Sequence, residues 1–308
     1  MTAAIPTVDL RDFGTKAHDH FVEGLGRGLE RWGFVNVVGH GVDPQLVEAT
    51  YASARKAFAL PAEVKLCYET PHDGRQRGYT GYGIEHARDH AVPDLKEFWH
   101  VGRVLPSQHP LSLSGDIPPN VSPAEVPEFA PTVDALFDSM DAVATKLLRA
   151  IAEHLDWAVD HFEPIVKDGN SVLRIIHYPD FRAPEPGAVR AAAHEDINLI
   201  TLLNAATGPG LQILDKHGNW LGIEAPPGAI VVDTGDMMKL LTGGRLGATT
   251  HRVINPERSD GGRMSMPMFV HPHPDAELQP GMTARDYFEL RQVETGVYHD
   301  GRTATEEF

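Results

Sequence analysis

The second half of the chain alternates short apolar runs with turn residues. The runs follow Asn170, are rich in Val, Ile, Leu and Thr, and read VLRIIHY, NLITLLN, GLQIL, AIVVD, ATTHRVI and RMSMPMFV. Pro-Asp, Gly-Pro-Gly, His-Gly-Asn and Gly-Gly sequences between them are typical of hairpin-sized turns. Because no helical pattern separates the runs, they predict an antiparallel sandwich or barrel of the jelly-roll kind.

The first half of the chain has mainly helical periodicity. Apolar residues recur at spacings of three and four over 131–155, which predicts one long amphipathic helix. Helices are also predicted at about 14–31 and 44–60, with a buried strand in GFVNVVGHGV between them. The segment 71–131 is rich in Gly and Pro, and we interpret it as a loop-rich connector folded onto the body.

Composition narrows the classes of partner. The chain has 308 residues, 42% of them hydrophobic, which is typical of a soluble globular protein with a large core. With 27 basic against 43 acidic residues the net charge is -16, so we expect neither nucleic acid nor a membrane as partner. The single cysteine, Cys67, permits no internal disulfide, and the lack of a signal-type start predicts a cytoplasmic location.

The chain has 17 histidines, so metal ligation is the first chemistry to test. His194 and Asp196 lie at the start of an apolar strand in AAAHEDINLITLLN, and His251 opens another strand in ATTHRVI. Two imidazoles and one carboxylate match the facial triad of non-haem Fe(II) and leave three coordination positions open. Taken singly, each histidine is better explained as a hydrogen-bonded strand end, but the three residues together predict a metal centre. By contrast, the His271 and His273 pair could chelate a metal but is interpreted as solvated or capping, because no carboxylate stands at a suitable spacing.

RMSMPMFV carries a second candidate site. Strand alternation places on one face Arg263, Ser265, Pro267 and Phe269. An inward arginine needs a partner, and an arginine with a hydroxyl two residues away forms a fork suited to a carboxylate. Tyr178 in VLRIIHYP can lend its hydroxyl to the same anion. The alternatives are a solvated Arg263 and, for Phe269, a plain core aromatic in place of a cavity wall.

The order of these motifs resembles a known family. HED at 194–196, HRV at 251–253 and RMS at 263–265, preceded by HYP at 177–179, are similar to motifs of the isopenicillin N synthase-like family of Fe(II)/2-oxoglutarate-dependent oxygenases. IPTVDL and GFVNVVGHGV resemble that family's N-terminal region, so the likeness covers most of the chain. It implies a mainly β fold with flanking helices around a double-stranded β-helix, a jelly-roll, cupin-like core.

The resemblance also implies a site and an activity. The implied iron ligands are His194, Asp196 and His251, and the implied partners of the distal carboxylate of 2-oxoglutarate are Arg263, Ser265 and Tyr178. The implied reaction is a dioxygenase reaction with Fe(II), 2-oxoglutarate and O2. A small-molecule substrate is hydroxylated, desaturated or similarly oxidised, with release of succinate and CO2.

We expect one catalytic domain over 1–308. It consists of a mostly helical region with the connector at 1–160, the jelly-roll core with the iron site at 170–275, and a C-terminal helix at 283–298. Within the family, the alternatives are a 2-oxoglutarate-independent oxidase of the isopenicillin N synthase or aminocyclopropane-carboxylate type, and an ethylene-forming subtype. Outside it, the alternatives are a catalytically silent binding barrel and a His2Asp zinc hydrolase. The hydrolase needs Glu195 as general base, and alternation turns that residue away from its neighbours.

Arg174 in VLRIIHY gives a hypothesis about the substrate. The strand is apolar on both sides of the arginine, so a buried charge there needs a partner. The period of two places Arg174 on the face of Tyr178, roughly 13 Å along the strand. We therefore predict that Arg174 meets an anionic group of the primary substrate, such as a carboxylate, with an internal ion pair or a β-bulge as the alternatives.

Overall fold

A computed structural model describes residues 2–3, 5–84, 94–180, 189–204, 206–255, 262–294, 298–299 and 302–303. Its large sheet draws strands from both halves of the chain. In spatial order these are β2 (Thr7–Asp9), β3 (Phe34–Val38), β11 (Ile230–Thr234), β8 (Ile200–Asn204), β14 (Pro267–Val270), β6 (Val172–Tyr178), β5 (Glu97–Gly102) and β4 (Gly78–Thr80). A further strand, β13 (Arg263–Ser265), pairs with β6.

A smaller sheet packs against the large one. Its strands in spatial order are β1 (Thr2–Ala3), β10 (Trp220–Ile223), β9 (Leu211–Leu214), β12 (His251–Val253) and β7 (Ala191–His194). Phe34 and Val231 of the large sheet form one hydrophobic cluster with Ile213 of the small sheet. The remaining strands form two separate hairpins, β15 (Glu277–Gln279) with β16 (Met282–Thr283) and β17 (Tyr298–His299) with β18 (Arg302–Thr303). The predicted jelly-roll core is confirmed.

The helices lie around the sheets. Their bounds are α1 (His18–Trp32), α2 (Pro44–Phe58), α3 (Ala62–Leu66), α4 (Pro110–Leu113), α5 (Phe129–His154), α6 (Glu163–Val166), α7 (Asp236–Leu241) and α8 (Ala284–Glu294), with 3-10 turns at Leu10–Asp12 and Pro71–Asp73. Gly33 ends α1 with φ of 66°, and a β-carbon there would lie 2.2 Å from the Thr249 hydroxyl, so only glycine fits this turn. No helix in the described part of the chain is long and apolar enough to cross a bilayer.

The two faces of β6 serve different parts of the molecule. Leu173 and Ile175 are fully buried in the main core, which also contains the apolar face of α5. Ile176 and Tyr178 belong instead to a separate buried cluster with Phe98 of β5. This is the alternation that the sequence predicted, and it turns Arg174 and Tyr178 away from the main core.

Two boundaries of the sequence prediction need correction. The connector contains β4 and β5, and β5 is a fully buried strand that pairs with β6 along its whole length. Its charged and polar residues hide the strand pattern, because Glu97 and His100 are buried by partners distant in sequence. The C-terminal helix ends at Glu294, not at 298, and Tyr298 begins a strand. The single-domain organisation stays a prediction.

Candidate active site

Strand pairing brings His194 and His251 together. In the antiparallel pair of β7 and β12 the two residues lie directly opposite each other. Their ring centroids are 4.4 Å apart. Asp196 follows β7 by two residues, and its Oδ1 lies 3.7 Å from Nε2 of each histidine. The ligand atoms of the three residues all lie within 4.8 Å of one another. We call this group the metal corner.

Both imidazoles of the metal corner are oriented by the backbone. His194 Nδ1 donates to the carbonyl of Ala192 at 2.7 Å, and His251 Nδ1 donates to the carbonyl of Thr249 at 3.2 Å. The Nε2 lone pair of each ring therefore faces Asp196. Desolvation, helped by nearby His251, lowers the pKa of His194 to about 4, so this ring is neutral near pH 7 as a metal ligand must be.

Asp196 is held from the other side by residues that the sequence did not single out. The Thr201 hydroxyl donates a short hydrogen bond to Asp196 Oδ2, and Asn198 Nδ2 donates to that hydroxyl at 3.2 Å. Asp233 of β11 is buried next to this carboxylate, and burial followed by the charge of Asp196 raises its pKa well above the usual range. Two imidazoles and one fixed carboxylate fit a divalent transition metal with open coordination positions.

A cavity of about 620 Å³ opens from the metal corner. Arg174 and Phe269, predicted from the sequence as substrate residues, both line it. The Arg174 guanidinium lies between two aromatic rings, 4.3 Å from the Phe98 centroid and 5.3 Å from that of Phe269. His271 also lines the cavity, with its ring edge-on to Phe288, while His273 Nδ1 accepts from the backbone of Asp275 at 3.1 Å as a capping residue does.

Arg174 is oriented by a neighbouring strand. His100 of β5 lies opposite it, and Arg174 Nε donates to His100 Nε2 at 2.6 Å. His100 Nδ1 in turn donates to the carbonyl of Arg75 at 2.9 Å. Gln76 and Asn170 line the same side of the cavity. We call these residues, Arg75, Gln76, His100, Asn170 and Arg174, the polar wall.

The three predicted co-substrate residues form one buried cluster. Arg263 lies opposite Tyr178 in the pair of β13 and β6, with its guanidinium 5.0 Å from the tyrosine ring centroid. Arg263 Nη1 donates to Ser265 Oγ at 3.3 Å, and Nε donates to the carbonyl of Gly208 at 3.1 Å. The solvated alternative for Arg263 is wrong, since the residue is 3% exposed. None of the three residues lines the 620 Å³ cavity, whereas Phe98, which packs with Tyr178 and Ile176, does line it.

Two charged groups next to the metal corner have partners of their own. The Glu195 carboxylate accepts a short hydrogen bond from Thr250, and the residue also lines the cavity. Lys96 forms a buried ion pair with Asp94 at 2.8 Å, and Asp94 Oδ1 accepts from the backbone of Ala192 at 2.9 Å. Asp94 therefore fixes the strand that carries His194.

Comparisons with known proteins agree with this site. Residues 5–125 match the family model described as the N-terminal region of non-haem dioxygenases in morphine synthesis, and residues 169–272 match the 2OG-Fe(II) oxygenase superfamily. The 2-oxoglutarate-Fe(II) type oxidoreductase hxnY of Emericella nidulans is 31% identical over 283 residues, which are 88% of this chain and 80% of the relative. The 2-oxoglutarate-dependent dioxygenase citB of Monascus ruber is 30% identical over 296 residues, 90% of this chain and 87% of the relative.

Solved structures give the same picture. A protein of the 2OG-Fe(II) oxygenase family from Caulobacter crescentus is 40% identical with a TM-score of 0.86, and the match covers 95% of this chain and all of the other. T7H of Neurospora crassa, solved with alpha-KG and thymine, is 26% identical with a TM-score of 0.82, and the match covers 94% and 97% of the two chains.

The fold and the metal corner define a non-haem iron oxygenase. The chain belongs to the isopenicillin N synthase-like family of 2OG-Fe(II) oxygenases, and the predicted resemblance is confirmed. It is an oxidoreductase that depends on Fe(II) and 2-oxoglutarate. The relatives' activities favour this function over a zinc hydrolase, a silent binding barrel or a 2-oxoglutarate-independent oxidase.

Proposed function

We propose that His194, Asp196 and His251 hold the Fe(II), and that the protein oxidises a small molecule carrying a carboxylate. One observation carries the proposal. The ligand atoms of the metal corner lie within 4.8 Å of one another at the wall of a cavity that Arg174 also lines. Fe(II) bound there, together with 2-oxoglutarate and O2, supplies the oxidising power, and succinate and CO2 are released. The protein's residues bind and orient the reactants.

The residues of the metal corner have separate tasks in this proposal. The carbonyls of Ala192 and Thr249 keep the protons of both imidazoles on Nδ1, so that Nε2 of each ring is available as a ligand. The Thr201 hydroxyl occupies Asp196 Oδ2, which leaves Oδ1 for the metal. Three fixed protein ligands leave room for a chelating co-substrate and O2.

Arg263, Ser265 and Tyr178 are proposed to bind the distal carboxylate of 2-oxoglutarate. Arg263 is a buried cation, and its Nη2 makes no hydrogen bond to any residue in the described part of the chain. A guanidinium with a neighbouring hydroxyl offers the planar set of donors that a carboxylate accepts. The proposal therefore gives the co-substrate carboxylate partners that are distinct from Arg174 and Phe269 at the larger cavity.

Arg174 is proposed to bind an anionic group of the primary substrate, with Phe269 as part of the wall. Phe98 and Phe269 flank the guanidinium, and His100 occupies its Nε, so its orientation is fixed before a ligand enters. A preorganised guanidinium suits a carboxylate best. The thymine held by the Neurospora relative makes a neutral ring carbonyl the second candidate for this donor.

A substrate screen tests this proposal. Carboxylate-bearing compounds and thymine are tested for stimulation of succinate release from 2-oxoglutarate by the Fe(II) protein. We expect a carboxylate to stimulate release, and Arg174→Ala to raise its KM by about tenfold or more, because a charge-assisted hydrogen bond is lost. Arg245→Lys, at an exposed arginine, is the control. If thymine alone stimulates succinate release, the substrate group at Arg174 is a neutral carbonyl and not a carboxylate. An unchanged KM in Arg174→Ala would refute the role of the arginine.

A further inference from the structure

The polar wall contains a second chain of hydrogen bonds, parallel to the one that orients Arg174. The first chain starts at the carbonyl of Arg75 and passes through His100. The second starts at the side chain of Arg77 and passes through Asn170 to Gln76. Both chains begin within three consecutive residues, so one short segment of backbone orients two groups of the cavity.

Arg77 gives the second chain a fixed end. Its side chain is fully buried, and it packs so closely on Gly102 that a β-carbon there would lie 2.3 Å from the guanidinium carbon. Burial lowers the pKa of Arg77 to about 10, so the group is still a cation near pH 7 and can only donate. Arg77 Nη2 donates to Asn170 Oδ1 at 2.7 Å.

Asn170 links Arg77 to Gln76 and fixes which amide atom donates and which accepts at each step. Because Arg77 only donates, the amide atom that it contacts must be the oxygen, and Nδ2 faces the other way. Asn170 Nδ2 donates to the carbonyl of Asp116 at 3.1 Å, an atom that only accepts, and also to Gln76 Oε1. The hydrogen-bond pattern therefore assigns the oxygen and the nitrogen of both amides without ambiguity.

Gln76 is left with one oriented donor. Its Oε1 accepts from Asn170, and this is the side-chain hydrogen bond that Gln76 forms among the described residues, so its Nε2 is available as a donor. The side chain lines the same cavity as Arg174. The two groups are close, because the Arg75 carbonyl and Arg174 Nε contact opposite nitrogens of one imidazole, at 2.9 and 2.6 Å, and Gln76 follows Arg75 directly.

We propose that Gln76 Nε2 binds a second, uncharged acceptor on the primary substrate, so that the substrate is a small carboxylate that also carries a carbonyl oxygen. The inference rests on the proposed function, in which Arg174 binds the carboxylate. Gln76 contacts the substrate, while Asn170 and Arg77 are positioning residues. An acceptor at Gln76 and an anion at Arg174 fix the substrate at two points, which orients one carbon atom toward the metal corner.

Isosteric acids test the proposal directly. 4-Oxopentanoate is compared with pentanoate, and 5-oxohexanoate with hexanoate, by calorimetric titration of the anaerobic Fe(II) protein saturated with 2-oxoglutarate. The members of each pair differ only by a carbonyl in place of a methylene. We expect the oxo acid of at least one pair to bind about three- to tenfold more tightly, the usual effect of one net hydrogen bond.

Three variants locate the effect. Gln76→Glu still accepts from Asn170 but presents an oxygen to the cavity, and it should abolish the preference for the oxo acid. Asn170→Asp still accepts from Arg77 but no longer donates to Gln76, and it should reduce the preference. Gln45→Glu, the same change at an exposed position on α2, should keep it.

The outcomes separate this inference from the proposed function. Equal affinities within both pairs, or a preference that survives Gln76→Glu, would overturn the role of Gln76. If all four acids then still bind through Arg174, with weaker binding in Arg174→Ala, the proposed function stands without it. If none of the acids binds to the parent protein, both proposals fail.

Discussion

The metal corner and the polar wall face the same cavity but are supported differently. At the metal corner the imidazoles of His194 and His251 donate to backbone carbonyls two residues away on the same chain segment. At the polar wall Arg174 and Gln76 depend on side chains from distant segments, His100 and Asn170. The orientation of the two imidazoles thus follows from strand pairing and the local backbone, whereas the substrate geometry depends on tertiary packing.

This difference makes the two regions independent in a way that substitutions can test. Replacement of a single side chain of the metal corner should weaken Fe(II) binding, with little effect on the fold. The polar wall should respond through stability and selectivity, because its groups are part of a buried network.

Replacement of His251 by alanine should weaken Fe(II) binding by at least about a hundredfold. Even the loss of an outer hydrogen-bond partner of a metal ligand weakens binding about ten- to hundredfold, and here a ligand itself is removed. Equilibrium dialysis with metal analysis measures the change. His271→Ala is the matched control, since His271 lines the cavity outside the metal corner. Stoichiometric Fe(II) in the His251 variant would contradict the assignment.

Substitution Glu97→Gln should lower the free energy of unfolding by about 3 kcal/mol at pH 7. Burial alone would raise the pKa of Glu97, but hydrogen bonds from His177, Lys65 and two tyrosines lower it to about 2. This carboxylate supports β5, the strand of His100. A folded-state pKa below the unfolded value of 4.5 means that the stabilisation is complete above about pH 4.5 and is lost as the pH falls toward 2.

Urea unfolding of both proteins at pH 7 and at pH 3 checks this prediction. The gap between parent and Glu97→Gln should shrink at the lower pH. Glu48→Gln, which removes an exposed pair with Arg55, should change the stability by less than about 1 kcal/mol. A gap that is equally large at both pH values would show that the charge of Glu97 is not what stabilises β5.

The sequence predicted the metal corner but only Arg174 of the polar wall, for a physical reason. His194 and Asp196 are adjacent on one strand end, and His251 opens a strand of the same sheet, so local pattern and pairing carry the information. Gln76 and Asn170 have no local signature. They reach the cavity only because β4 and β5 join the large sheet. The buried charges of β5 conceal its strand pattern in the sequence.

The environment of Arg174 was predicted from the sequence only in part. Alternation along β6 correctly predicted its face, because strand period is a local property. Its partner His100 was not predicted, since β5 was interpreted as part of a connector. The Thr201 hydroxyl was missed for a related reason: a threonine in an apolar strand fits β propensity as well as it fits a hydrogen bond to Asp196.

Loss of the Thr201 hydroxyl should have the smallest effect of this set. Thr201→Val keeps the shape of the side chain but no longer fixes Asp196, and we expect Fe(II) affinity to fall about tenfold. Thr201→Ser keeps the hydroxyl and should restore most of the affinity. The same dialysis measurement serves, with thermal unfolding to show that both variants are folded. If both variants bind Fe(II) with equal affinity, the Thr201 hydroxyl does not orient Asp196.

Anaerobic absorption spectroscopy tests the central claim most directly. Addition of 2-oxoglutarate to the Fe(II) protein should produce a visible metal-to-ligand charge-transfer band that saturates at one 2-oxoglutarate per chain. Arg263→Lys should keep the iron but require about ten- to hundredfold more 2-oxoglutarate for the same band, because the paired donors are lost, while Arg245→Lys should behave as the parent. A parent protein without the band, or a His251→Ala variant that keeps it undiminished, would contradict the assignment of His194, Asp196 and His251 as the iron site.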